Sequence, residues 1–120
     1  MPQLSLGIVM LGVNNLERSL EFYQNYLGLS LKFQTPGFAF LDAGAVTLAL
    51  SEPLARSAGQ TPGASELVFP VASVTASHRE LERKGISFTQ VPRQVTPTDW
   101  AANFNDPDGH RLSIFGPQGS

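Results

Sequence analysis

The chain has 120 residues, 42% hydrophobic and 15% charged, a balance that suits one globular domain with an ordinary core and excludes a disordered tail. A formal net charge of −2 and scattered Lys and Arg, with no basic residue near Lys32, argue against nucleic acid as a partner. The lack of cysteine excludes disulfides, thiolate metal sites and a Cys nucleophile, and no apolar run approaches the roughly 20 residues of a membrane span. The opening Met1-Pro2-Gln3 has neither a basic n-region nor an apolar h-region, so a cytoplasmic protein with no membrane partner is expected.

The first expected strand runs from Leu4 to Val13 and is apolar on both faces, Val9, Leu11 and Val13 alternating with Ile8 and Met10, so that something should cover each side. Val13 to Leu29, reading VNNLERSLEFYQNYLGL, then predicts one amphipathic helix. Asn14 and Asn15 are N-cap candidates, Glu17 suits the positive end of the helix dipole, and Gly28 is a left-handed stop. Leu16, Leu20, Tyr23 and Leu27 form its apolar face, with Glu17, Arg18, Glu21, Gln24 and Asn25 opposite. Three strands follow: Leu31 to Thr35, Phe38 to Asp42 after a Pro36-Gly37 turn, and Val46 to Ser51. Residues 52–64, rich in Pro, Gly and small polar residues, read as a linker.

A second strand-helix unit opens with Glu66 to Val71, where Leu67, Phe69 and Val71 should meet a helix and Glu66, Val68 and Pro70 should not. That helix starts at a Ser73 or Thr75 cap and ends at Lys84, before Gly85. Ile86 to Val91 is the next strand, ended by Pro92, and Arg93 to Asp99 is an irregular excursion between Pro92 and Pro97. Trp100 to Asn105 and Arg111 to Phe115 form a last hairpin around Asp106-Pro107-Asp108-Gly109, in which proline sets φ, aspartate bonds the backbone and glycine takes positive φ. Val71 lies 58 residues after Val13 and begins a stretch built on the same plan, so the chain reads as a duplicated supersecondary module. The expectation is an α+β single domain over 1–120, with module one at 4–51, a linker at 52–64 and module two at 65–116, giving eight strands and two principal helices.

The helix VNNLERSLEFYQNYLGL, the repeated βαβββ plan and the late NDPDGHRLSIF resemble the vicinal oxygen chelate superfamily, which includes glyoxalase I, bleomycin resistance proteins and extradiol dioxygenases. The resemblance covers nearly the whole chain and implies two βαβββ modules forming an open, cup-like mixed sheet with helices outside, a ligand on the concave face and a homodimer. It says little about activity, because these motifs are structural and are shared by members with unrelated chemistries. Metal-dependent members place ligands on the first and last strands of each module. The matching positions here are Ile8, Ala49, Glu66 and Ser113, of which Glu66 alone can bind a divalent ion, whereas a catalytic site wants about three His, Asp or Glu ligands. His78, among the charged residues of the second helix, is expected in solvent, and His110 in service of its turn. No cofactor is therefore expected, and Glu66 is the single catalytic candidate.

Glu66 admits two readings: a solvated strand end, or a carboxylate at the rim of an apolar cup whose pKa desolvation would raise and which could bind a cationic or hydrogen-bonding group. Phe33, Phe38, Phe40, Trp100 and Phe104 all fall on expected strands, where some are core and some face the cup. Trp100, beside the Pro-containing excursion, is the first candidate for a stacking wall, supported by Phe38 or Phe40. No phosphate loop, GxSxG elbow, CxxC or HExxH occurs. The leading expectation is a metal-free protein that sequesters an apolar or aromatic small molecule, in the manner that resemblance to bleomycin resistance proteins implies, through Ile8, Met10, Phe38, Phe40, Glu66, Trp100 and Ser113. The alternatives are a metal-dependent glyoxalase-like lyase, isomerase or dioxygenase with an atypical site at Glu66, and an accessory module that serves protein contacts.

Overall fold

The computed structural model describes residues 5–58 and 63–120. The chain divides into two compact units, 1–61 and 62–120, each with one four-stranded mixed sheet. In the first unit β1 (Ile8–Gly12), β2 (Ser30–Thr35), β3 (Phe38–Asp42) and β4 (Thr47–Ser51) lie in the order β1-β4-β3-β2. β1 runs parallel to β4 and the other pairs are antiparallel. The second unit repeats this with β5 (Glu66–Pro70), β6 (Phe88–Gln94), β7 (Trp100–Asn105) and β8 (Arg111–Gly116) in the order β5-β8-β7-β6, β5 parallel to β8. The duplicated βαβββ plan is thus present as two open sheets, neither closed into a barrel. The expected start of the first strand at Leu4 lies outside the described residues.

The first helix is shorter and less regular than its sequence suggests. α1 (Leu16–Glu21) is capped by the Asn15 side chain, which accepts from the Arg18 amide, and passes into a π-helical stretch, Phe22–Tyr26. The wider turn, closed by Leu27 N–H on the Phe22 carbonyl at 3.1 Å, adds a residue per turn and rephases the helix. Phe22 and Tyr23 consequently both bury, their rings edge to face with centroids 5.2 Å apart, although 3.6-residue periodicity places only Tyr23 inside. With Leu16 and Leu20 they cover Leu11, Ala39, Leu41, Leu48 and Leu50 on one face of the first sheet. In the second unit α3 (Val74–Arg83), capped by Ser73 Oγ on the Ala76 amide and stopped by Gly85 at φ +105, is matched by buried Ala102, Phe104, Leu112 and Ile114.

Two expectations need correction. Residues 52–58 of the supposed linker form α2 (Glu52–Ala58). Ser51 Oγ accepts from the Leu54 amide at 3.0 Å, and Pro53 sits in the first turn, where its missing N–H is harmless, so Ser51-Glu52-Pro53 is a helix start and not a loop. The Glu52 carboxylate also accepts the Leu16 amide at 2.8 Å, supplying α1 with a partner for an orphan N–H. β6, for its part, does not end at Pro92 but continues to Gln94. It is an edge strand, and its ladder slips so that Val91 and Pro92 together face one residue of β7, a bulge in which the proline needs no hydrogen bond.

His78 is not solvated either: its side chain is 17% exposed, and its ring meets Phe88 edge-on at 4.5 Å because positions 74 and 78 share the inner face of α3. No helix among the described residues is long and apolar enough to cross a membrane.

The docking of α2 is testable at Gly12, where an added Cβ would lie 3.0 Å from the Ala55 backbone. Gly12→Ala is expected to lower stability by about 1–3 kcal/mol in urea denaturation, and an unchanged midpoint would show that α2 does not rest on β1.

Candidate ligand site

Five polar side chains come together on one face of the second sheet. Glu66 pairs in register with Arg111, and Val68 with Ser113, which pairs with Asn103, so strand alternation sends Glu66, Arg111, Ser113 and Asn103 to the same side. The Glu66 carboxylate accepts the Nε–H of Arg111 and Nδ2 of Asn103 (3.4 Å) at Oε1, and the hydroxyl of Ser113 (2.9 Å) at Oε2. Asn103 Oδ1 accepts in turn from Nη1 of Arg93 at 3.0 Å. Arg93 reaches Asn103 because β6 shifts register twice, between Phe88 and Gln90 and again at Val91-Pro92, which sets it opposite Ala101; an unbroken ladder from Phe88 would have carried it past the end of β7. Ser113 and Asn103 are buried, whereas the Arg111 side chain is 56% exposed and that of Glu66 33%. A recess of about 450 Å³, lined by Gly63, Ala64, Ser65, Glu66, Gly109 and Arg111, adjoins the pair.

The hydrogen bond from Arg111 holds the Glu66 carboxyl below the ordinary range of a glutamate; burial opposes this, while Ser113 and the charges of Arg111 and Arg93 add to it. Burial alone would raise the value, as the rim-carboxylate reading expects, but it is outweighed by donors that favour the charged form.

The first sheet carries a different surface on the face turned away from α1. Met10, Ala49, Phe40 and Phe33 form one cross-strand row, with Ile8 and Phe38 on the same side. Phe33 stacks on Phe40 with centroids 4.4 Å apart, and Phe38 lies parallel to Phe40 at 6.3 Å. Ile8, Met10 and Phe33 are 51%, 41% and 55% exposed, so this side of β1, which α2 covers at Gly12, is open at Ile8 and Met10. Lys32 Nζ donates to Thr47 Oγ1 at 2.7 Å on this sheet.

The residues expected at the site therefore divide. Ile8, Met10, Phe38 and Phe40 share the first sheet's face, and Glu66 and Ser113 share the second's. Trp100 belongs with neither, because it shares the helix-facing side of β7 with buried Ala102 and Phe104, and Phe104 is core. Asn103, Arg111 and Arg93 were not anticipated. Counting back from Ser113 across the hairpin could have found Asn103 and Arg111; the bulge hides Arg93.

A divalent ion does not fit the positions that the resemblance makes ligands. Ile8, Ala49 and Ser113 offer at most a hydroxyl, and the Glu66 carboxylate already faces a guanidinium, whose positive charge would oppose a second cation. Among the described residues no three His, Asp or Glu side chains converge.

Because the native pKa of Glu66 is depressed, its ionisation stabilises the fold fully above the unfolded glutamate value of about 4.3, and that contribution is lost as pH falls through the lower native pKa. A carboxyl-carbon NMR titration should place the Glu66 midpoint below that of a free glutamate, and Arg111→Gln should move it upward; a midpoint unmoved by Arg111→Gln contradicts this assignment.

The sequence from residue 5 to 114 matches the family model of the Glyoxalase/Bleomycin resistance protein/Dioxygenase superfamily. An uncharacterized protein of Mycolicibacterium smegmatis is 40% identical over 111 residues, 92% of this chain and 91% of that one. Among solved structures, TnmS3, an antibiotic binding protein from Streptomyces sp. CB03234, superposes with a TM-score of 0.80 at 22% identity, covering 98% of each chain. A lactoylglutathione lyase from Agrobacterium tumefaciens does so with a TM-score of 0.79 at 19% identity, covering 96% of this chain and 95% of that one. These likenesses in fold join a match over nearly the whole sequence: the chain belongs to the glyoxalase/bleomycin resistance protein/dioxygenase superfamily.

Proposed function

We propose that this protein binds an apolar or aromatic small molecule without a metal and sequesters it. The observation that carries this reading is the Glu66 carboxylate: at the one candidate ligand position able to hold a cation, both oxygens are engaged by Arg111, Asn103 and Ser113. Capture needs no chemistry, and the ring ladder Phe33-Phe40-Phe38 with exposed Ile8 and Met10 suits stacking against a planar ligand. The antibiotic binding protein of the same fold supports the reading by analogy, while the lyase of that fold leaves catalysis as the rival. In this reading the protein is a cytoplasmic homodimer whose partner is a small molecule, not nucleic acid.

Calorimetric titration with a panel of planar aromatic compounds, in EDTA and with added Zn²⁺, Mn²⁺, Fe²⁺ or Ni²⁺, tests the proposal. Binding is expected to be indifferent to EDTA and to all four ions. Phe40→Ala should weaken it by about ten-fold or more, the loss of a well-packed aromatic anchor. A stoichiometric metal whose removal lowers the melting temperature would transfer the protein to the lyase, isomerase or dioxygenase class.

A further inference from the structure

The recess beside Glu66 and Arg111 calls for a ligand group of definite charge. Glu66 has no oxygen left without a donor, since Arg111 and Asn103 occupy Oε1 and Ser113 occupies Oε2. A cationic ligand group would meet at that carboxylate a guanidinium already in matched and partly desolvated contact, whose charge repels it. The charge that the sharper sequence reading of Glu66 would offer to a cation is therefore already matched by Arg111.

The donors are less fully used. Arg111 meets Glu66 through Nε, and that contact does not engage its two Nη groups. Arg93 uses Nη1 on the Ala101 carbonyl and on Asn103 Oδ1, and neither contact neutralises its charge. The linked face thus sets two guanidinium groups against one carboxylate. Asp106 and Asp108 flank Arg111 in the preceding turn, and Asp106 is turned inward, its Oδ1 accepting the amides of Asp108 and His110 at 2.9 and 2.8 Å. The recess is walled by small residues, Gly63, Ala64, Ser65 and Gly109, so a flat group can approach the guanidinium edge of Arg111.

Resting on the capture reading above, we infer that the ligand is an organic acid whose planar carboxylate, or an oxyanion of the same shape, is received by Arg111 with Arg93 supplying the balancing positive charge. Glu66 then acts as a positioning residue that holds the Arg111 guanidinium in place and makes no contact with the ligand. This division of labour also gives selectivity: an amide or ester of the same size fills the same space without matching the charge.

The test uses matched pairs, 2-naphthoate against 2-naphthamide and anthraquinone-2-carboxylate against its amide, titrated calorimetrically into the full-length protein. The acid is expected to bind about ten-fold or more tightly than its amide, as for charge-assisted hydrogen bonds, and the preference should shrink as salt rises. Arg93→Gln, which keeps both partners of the Glu66–Arg111 pair, should cut the preference at least two-fold, and Arg111→Gln should abolish it. Circular dichroism checks the fold of both variants. An amide that binds as tightly as its acid, or a preference that survives in both variants, overturns the anion assignment and leaves apolar capture standing. Failure of acids and amides alike to bind overturns both.

Discussion

The contact between Glu66 and Arg111 sets the character of the second sheet. It bridges the parallel pair β5 and β8 at the first residue of each, and it draws Asn103 and Ser113 inward as further donors. With side chains 33% and 56% exposed, such a pair adds little to global stability, because solvent screens it and ordering two long side chains is entropically unfavourable. Its importance is arrangement. It fixes a guanidinium beside the recess and favours the ionised carboxylate.

Comparison of the two modules brings this out. The register that sets Glu66 against Arg111 sets Ile8 against Thr47, and the one that sets Val68 against Ser113 sets Met10 against Ala49. The row then continues to Asn103 in one sheet and to Phe40 and Phe33 in the other. One backbone plan therefore carries a hydrogen-bonding face and an aromatic face. Two edge strands shift register, β2 once, between Leu31 and Phe33, and β6 twice, between Phe88 and Gln90 and between Gln90 and Arg93. The first brings Phe33 against Phe40; the second brings Arg93 to Asn103. An added residue in a strand flips the side chains beyond it, so the single shift in β2 turns Phe33 onto the Phe40 row, whereas the two shifts in β6 cancel in facing and set Arg93 opposite Ala101, two residues short of where an unbroken ladder would carry it.

What could be read from the sequence follows the range of the forces involved. Asn15 and Ser73 as caps, Gly28 and Gly85 as stops and the Asp106–Gly109 turn are local chemistry, and they stand where their residue types place them. The register of β7 on β8 was legible too, and alternation from Ser113 would have put Trp100 on the helix side and Asn103 at the site. The π turn was not, because 3.6-residue periodicity has no place for a fifth residue. Nor was Arg93, whose position depends on two register shifts, nor the pKa of Glu66, whose direction was decided by a partner 45 residues away. Proline misled twice, at Pro53 and Pro92, since both stand where an N–H is dispensable: the first turn of a helix and an edge strand.

The segment that follows the fourth strand behaves alike in the two modules. After β4, the Glu52 carboxylate accepts the Leu16 amide at the start of α1; after β8, the carbonyls of Pro117 and Gln118 accept the amides of Val74 and Thr75 at the start of α3, each at 2.9 Å. Each helix thus completes its first turn with groups that arrive only after the whole sheet has been threaded, 36 residues later in the first module. The latch makes helix docking and sheet completion cooperative. A half-built module leaves those amides to water at the end where the dipole is positive, so each βαβββ unit gains these contacts only as it closes.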